Sequence, residues 1–149
     1  MSEQRAEAGV VRGFPAFLLR TEGAALLVLS VVLYAKFGSS WLLYVVLLFV
    51  PDLGMLGYFG GTRFGAVAYN LVHIYVPPAA LALVGVTAGN RPAYLIALIW
   101  FGHIGMDRLL GYGLKYPTSF SHTHLGVIGA RRRRWSREDD REPSGKVVS

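Results

Sequence analysis

The sequence predicts an all-α integral membrane bundle of about four antiparallel transmembrane helices, and three observations carry that reading. Hydrophobic residues make up 53% of the 149 and charged residues only 16%, with a mean hydropathy of +0.42; this composition belongs to the membrane class. Four apolar runs each approach the ~20 residues that a helix needs to cross a ~30 Å hydrocarbon core. The connections Gly38-Ser39-Ser40, Gly60-Gly61-Thr62-Arg63 and Thr87-Ala88-Gly89-Asn90-Arg91 are short and rich in turn residues, so successive spans must run antiparallel.

The first span covers about Phe17 to Phe37, with Glu22 near its inner end. The second, about Trp41 to Phe59, is interrupted by Pro51 just before Asp52 and followed by Gly54, Gly57, Gly60 and Gly61; a proline there frees a carbonyl one turn earlier and kinks the axis. The third, about Phe64 to Val86, carries Asn70 and His73, and Pro77-Pro78 should kink it. The fourth, about Pro92 to Tyr112, holds His103 between Gly102 and Gly105, small residues that permit close helix approach. Tyr44, Tyr69, Tyr75, Tyr94 and Trp100 read as packing or interface residues.

The organisation that follows is a cytoplasmic N-terminal segment over residues 1–16, a transmembrane domain over 17–113, a cytoplasmic interfacial segment over 114–130 and a basic, disordered tail over 131–149. Residues 114–130 are too polar and glycine-rich for a fifth span, and Tyr112 and Tyr116 would anchor them at the interface. Glu3, Glu7 and the absence of a small-residue cleavage site argue against a cleaved signal peptide.

Lys and Arg residues gather at the two ends of the chain: Arg5, Arg12 and Arg20, then Arg131 to Arg134, Arg137 and Arg141. Both termini are therefore expected in the cytoplasm, in agreement with an even number of spans, and the protein is expected in the cell membrane. The net charge of +6 is accounted for by juxtamembrane basic residues that meet anionic lipid, so membrane lipids and not nucleic acid are the expected partners. With only four spans, a pore would need a homo-oligomer. The chain has no cysteine, which excludes disulfides, thiolate nucleophiles and thiolate metal ligands.

The chemistry lies in polar residues placed in the middle of apolar runs. At 1.5 Å per residue, Asp52 sits about 16 Å below the outer face, Asn70 and His73 about 9 and 14 Å above the inner face, and His103 and Asp107 about 16 and 22 Å below the outer face. All five thus fall between the midplane and the cytoplasmic boundary. Asn70 and His73 are three apart and His103 and Asp107 four apart, so each pair shares one helix face. Ionisable groups at such depth are costly and are often functional.

Imidazole and carboxylate donors suit one divalent ion of zinc, manganese or iron, which lowers the pKa of a bound water. His73, His103 and Asp107 are the expected ligands, with Asp52 either a fourth ligand or the catalytic base of a lipid or amphiphile hydrolase. Asn70 would orient a ligand or substrate, and Arg108 and Lys115 would hold a phosphate. His124 either folds back over the inner mouth of the bundle to complete the metal shell or lies at the surface; His122 reads as a surface histidine. The same residues would also suit a proton or ion relay, a haem held between His73 and His103, or hydrogen bonds that merely fix the bundle.

The runs Pro51-Asp52-Leu53-Gly54-Met55-Leu56-Gly57-Tyr58, Tyr69-Asn70-Leu71-Val72-His73, His103-Ile104-Gly105-Met106-Asp107-Arg108, Gly111-Tyr112-Gly113-Leu114-Lys115-Tyr116-Pro117 and His124-Leu125-Gly126 resemble the bacterial membrane-protein family catalogued as domain of unknown function 4260. The resemblance covers about residues 17 to 129 and implies a small integral membrane protein without implying a reaction. A looser similarity links the Pro-Asp step and the scattered His and Asp residues to small membrane proteins described as metal-dependent hydrolases. In those a second acidic residue follows soon after the Pro-Asp step, whereas here Gly54 stands two residues after Asp52.

Overall fold

A computed structural model describes residues 9–38 and 40–128; the expectations for residues 1–8 and for the basic tail lie outside them. Helix α1 spans Gly13–Phe37 and α2 spans Trp41–Leu48, its Ser40 hydroxyl accepting from the Leu43 N–H. A 3₁₀ helix, Val50–Gly60, completes the second span. Helices α3, Thr62–His73, and α4, Val76–Thr87, make up the third span. The fourth span is α5, Arg91–Leu110, capped at its start by Asn90 and closed by Gly111 at φ 87°. A small antiparallel hairpin, β1 His122–Thr123 and β2 Gly126–Val127, follows. All four spans are long and apolar enough to cross a membrane.

The distribution of side chains is inverted relative to a water-soluble domain. Phe59, Leu42, Val86 and Phe14 are 70% exposed or more, while Ser30, His73, His103 and Thr123 are almost wholly buried. Apolar surface faces outward and polar groups face the core, as a hydrocarbon solvent requires. The molecule is therefore a multi-pass membrane protein.

Two spans depart from simple kinked helices. Around Pro51, which cannot donate to the Leu47 carbonyl, the second span continues as an eleven-residue 3₁₀ helix, Val50–Gly60. With three residues per turn, Gly54, Gly57 and Gly60 eclipse one another. A Cβ on Gly54 would lie 2.7 Å from Val72 Cγ2, and one on Gly57 2.6 Å from Ala68 Cβ, so this glycine stripe is the face that meets α3. The third span breaks where the Pro77-Pro78 pair predicts only a kink. Helix α3 stops at His73, Ile74 is extended (φ −95°, ψ 158°), and α4 restarts with both prolines in its first turn, where a missing N–H costs nothing.

Helix α5 is the axis of the bundle and packs along α1, α4 and α2. It meets α1 closely at the reciprocal contact of Gly23 and Gly105, where a Cβ on either would fall 2.7 Å from the other's carbonyl oxygen. Polar ties reinforce the packing: the Ser30 hydroxyl donates to the Leu98 carbonyl at 2.6 Å and lies 3.0 Å from the Tyr44 hydroxyl.

The segment after α5 folds back onto the bundle. Lys115 bridges to Thr123, and Lys115, His122, Thr123 and Leu125 are all buried. The expectation of a surface His122 is thereby corrected: its Nδ1 lies 2.7 Å from Thr118 Oγ1 and its ring tilts against Tyr116. The first described residues lie against this hairpin, with the Val11 N–H donating to the His124 carbonyl at 2.8 Å and the Tyr116 hydroxyl to the Gly9 carbonyl at 3.0 Å. The two ends of the described chain thus share one end of the bundle.

Candidate metal centre

Asp52, in the first turn of the 3₁₀ helix, His73, the last residue of α3, and His103 and Asp107, one turn apart on α5, converge at one point. One donor atom from each lies within 4.8 Å of the other three. His73 Nε2 is 2.9 Å from His103 Nε2, 3.4 Å from Asp107 Oδ2 and 3.9 Å from Asp52 Oδ1; His103 Nε2 is 3.8 Å from both carboxylates. In a tetrahedral site with metal–ligand bonds near 2.1 Å, neighbouring donors stand about 3.4 Å apart. The group has that size and two imidazoles and two carboxylates as donors. His73 and His103 are 2% and 0% exposed, while the Asp52 side chain is 35% exposed, so the group has one accessible member.

Surrounding groups fix the donors. His73 Nδ1 lies 2.8 Å from the Tyr69 carbonyl, and only a protonated Nδ1 can donate to it, so Nε2 presents its lone pair to the group. The Tyr69 hydroxyl donates to Asp107 Oδ2 at 2.9 Å, and its ring stacks on His73 at a centroid distance of 3.6 Å. One tyrosine thereby orients two of the four residues. The break after α3 exposes carbonyls that α5 satisfies: Trp100 Nε1 donates to the Val72 carbonyl at 2.7 Å and Arg108 Nη2 to that of His73 at 3.3 Å. Tyr69 and Trp100, read from sequence as packing residues, are thus the supports of the site. Tyr69 stands four residues before His73, a spacing that places both on one face.

The remaining expected site residues sit elsewhere. Asn70 touches no member of the group; its amide donates to the Lys115 carbonyl at 2.9 Å and accepts the Lys115 N–H at 2.7 Å. Lys115 is 3% exposed, with its ammonium 3.3 Å from the Phe120 ring centroid and 4.5 Å from that of Tyr69. Burial holds its pKa down to about 8, against the opposing pull of Asp107 and Asp52. His124 does not join the His/Asp group. Its Nδ1 accepts the Leu114 N–H at 2.8 Å and its Nε2 faces Arg108 Nη1 at 3.4 Å, which commits both ring nitrogens outside the group.

A haem between His73 and His103 does not fit. Metal–nitrogen bonds of ~2 Å on opposite sides of one iron would hold the two nitrogens ~4 Å apart with a macrocycle between them, whereas here they are 2.9 Å apart and the rings pack edge to face.

Tyr69, His73, Asp107, Arg108, Tyr112 and Gly113 line a small crevice beside the group, too tight for a water molecule. Fold and site together define a multi-pass helical membrane protein with a buried His/Asp group of metal-ligand dimensions. The chain belongs to the family described as a domain of unknown function (DUF4260), whose model matches residues 16–128. No curated protein and no solved structure matches it.

Proposed function

We propose that this protein holds one divalent ion of zinc, manganese or iron between Asp52, His73, His103 and Asp107 and hydrolyses a lipid or other amphiphile. The observation that carries the reading is the meeting of four donor atoms within 4.8 Å, from three spans, in an apolar surround. A bound ion would supply an acidified water and polarise the oxygen of an ester or phosphoryl group. His73, His103 and Asp107, all buried, are the fixed ligands. Asp52 is the accessible member and serves as the base: it takes a proton from water as the water oxygen bonds to the acyl carbon or phosphorus. The bond to the alcohol oxygen then breaks, and that oxygen takes the proton back from Asp52. Hydrocarbon-facing Leu53 and Leu56 flank Asp52, which suits a substrate with an apolar tail. In the cell membrane, the end of the bundle that carries Val11 and the hairpin would face the cytoplasm.

Elemental mass spectrometry of the detergent-purified protein tests the metal, beside His103→Ala and Asp107→Asn variants that still elute as monodisperse species. One ion per chain in wild type, lost in both variants, with metal-dependent release of fatty acid or phosphate from lipid vesicles, is the expected result. Wild type that takes up no zinc, manganese or iron on reconstitution would overturn the reading.

One observation favours a second use of the same site. Two spans are interrupted beside a ligand, at Pro51-Asp52 and at His73-Ile74, an arrangement that in transporters places ion sites at the ends of broken helices. Metal flux into proteoliposomes without lipid turnover would select an ion path over hydrolysis.

A further inference from the structure

Arg108 and His124 face one another as two donors with no acceptor between them. The Leu114 N–H donates to His124 Nδ1 at 2.8 Å, so that nitrogen bears a lone pair. The neutral ring must then carry its proton on Nε2. Burial, reinforced by the Arg108 charge, lowers the His124 pKa and keeps the ring in that form. His124 Nε2 is 3.4 Å from Arg108 Nη1, and a guanidinium can only donate. An N–H and an N–H therefore point into the same space, an arrangement that an acceptor resolves. One oxygen placed ~2.8 Å from both nitrogens would close the triangle.

The surroundings of this pair favour an anion. Arg108 is 8% exposed, and the ion pairs among the described residues join His73 and His103 to Asp52 and Asp107 and do not include it. Among the described residues its other hydrogen bond is the 3.3 Å contact with the His73 carbonyl. Arg108 and Gly113 line the small crevice beside the His/Asp group, and Gly113 packs against the His124 ring, where a Cβ would fall 2.5 Å from Nδ1. Lys115, also buried, has an ammonium without a hydrogen-bond partner. Once an ion is bound, the carboxylates of Asp52 and Asp107 would cancel its charge and leave Arg108 and Lys115 as two buried cations without an acidic partner among the described residues. In a medium of low dielectric that imbalance favours a dianion.

We infer that Arg108 and His124 form the binding site of a phosphoryl group, a phosphomonoester headgroup or free phosphate. As a statement of substrate class this rests on the hydrolase reading, since it makes the amphiphile a phosphomonoester lipid; as a binding site it stands on the donor pair alone.

The full-length protein in neutral detergent is titrated calorimetrically with inorganic phosphate, with metal content measured on the same sample. The same titration is repeated in nanodiscs of phosphatidylcholine with and without phosphatidic acid. His124→Asn is the informative variant, because the Asn carbonyl can still accept the Leu114 N–H while the Nε2 donor is lost; Arg108→Gln removes the charge. One phosphate per chain is expected, with binding weakened about tenfold in His124→Asn and abolished in Arg108→Gln. Displacement of phosphate by phosphatidic acid identifies the lipid headgroup as the ligand; binding unaffected by phosphatidic acid identifies free phosphate. Metal-loaded wild type that binds neither ligand, or a His124→Asn variant that binds as wild type does, overturns the anion site while leaving the metal reading in place. Phosphate binding by protein that takes up no metal does the reverse.

Discussion

Tyr69→Phe separates the metal group from the packing that surrounds it. The substitution deletes one atom, the hydroxyl that donates to Asp107 Oδ2 at 2.9 Å. The ring that stacks on His73 at 3.6 Å and lies under the Lys115 ammonium at 4.5 Å is retained. The main-chain carbonyl that fixes His73 Nδ1 is untouched as well. The variant should therefore fold as wild type does, while Asp107 loses the hydrogen bond that orients it. Loss of a supporting partner of this kind costs ~10–100-fold in metal affinity, equivalent to about 1.4–2.8 kcal/mol. Competition against a chelator of known zinc affinity, on detergent-purified protein, reads that shift directly, and the thermal midpoint of the metal-free form checks that the fold is unchanged. Zinc affinity within a factor of about two of wild type would refute the reasoning, because Asp107 would then be either absent from the site or oriented by something else.

Asn70→Ala removes both partners of the Lys115 backbone and should cost about 1–3 kcal/mol, read as faster hydrogen exchange at the Lys115 amide; unchanged exchange would show that the clamp contributes nothing. Gly105→Ala drives a Cβ to 2.7 Å from the Gly23 carbonyl and should destabilise the α1–α5 contact by about 1–3 kcal/mol, seen as a lowered thermal midpoint. Lys115 has a folded pKa of about 8 against an ordinary 10.5, so between those values the unfolded chain binds more protons than the folded one. The metal-free protein should thus gain stability as pH rises from 8 to 10.5, and Lys115→Met should remove that part of the slope; superimposable profiles would refute it.

The spans were legible because hydrocarbon imposes one requirement, about twenty apolar residues, on every one of them. The meeting of Asp52, His73, His103 and Asp107 at one level was legible too, since helical rise converts residue number to height. The second and third spans show where that logic stops: Pro51 and Pro77 mark interruptions, but whether a span kinks, breaks or becomes 3₁₀ depends on the partner that receives the freed backbone groups. Gly54, Gly57 and Gly60 carried a period of three that foreshadows the 3₁₀ helix, whereas nothing in the sequence pairs Trp100 with Val72. Asn70 shares a face with His73 yet bonds to Lys115, 45 residues on, because the segment after α5 returns to the core. That return also buries His122 and draws His124 to Arg108. Polar, glycine-rich segments of this kind read as interface when their own hydrogen-bond partners lie on other elements.

The break in the third span and the His/Asp group depend on the same face of α5. Pro77 has no N–H for the His73 carbonyl, and the chain leaves the helical path before the Val76 N–H can reach Val72. Two carbonyls are thereby left in an apolar core, where an unpaired polar group is expensive. Trp100 and Arg108 supply the missing donors, and between them on α5 stand His103 and Asp107. Trp100, His103 and Asp107 recur at intervals of three and four, which aims all three at the end of α3. A continuous helix through residues 62–87 would draw Val72 back into its own ladder, leave the Trp100 N–H without an acceptor and remove the end-of-helix position that lets His73 turn its Nε2 toward α5. The polar groups that make the break tolerable therefore share one face with His103 and Asp107, and a substitution on this face should disturb both the break and the His/Asp group together.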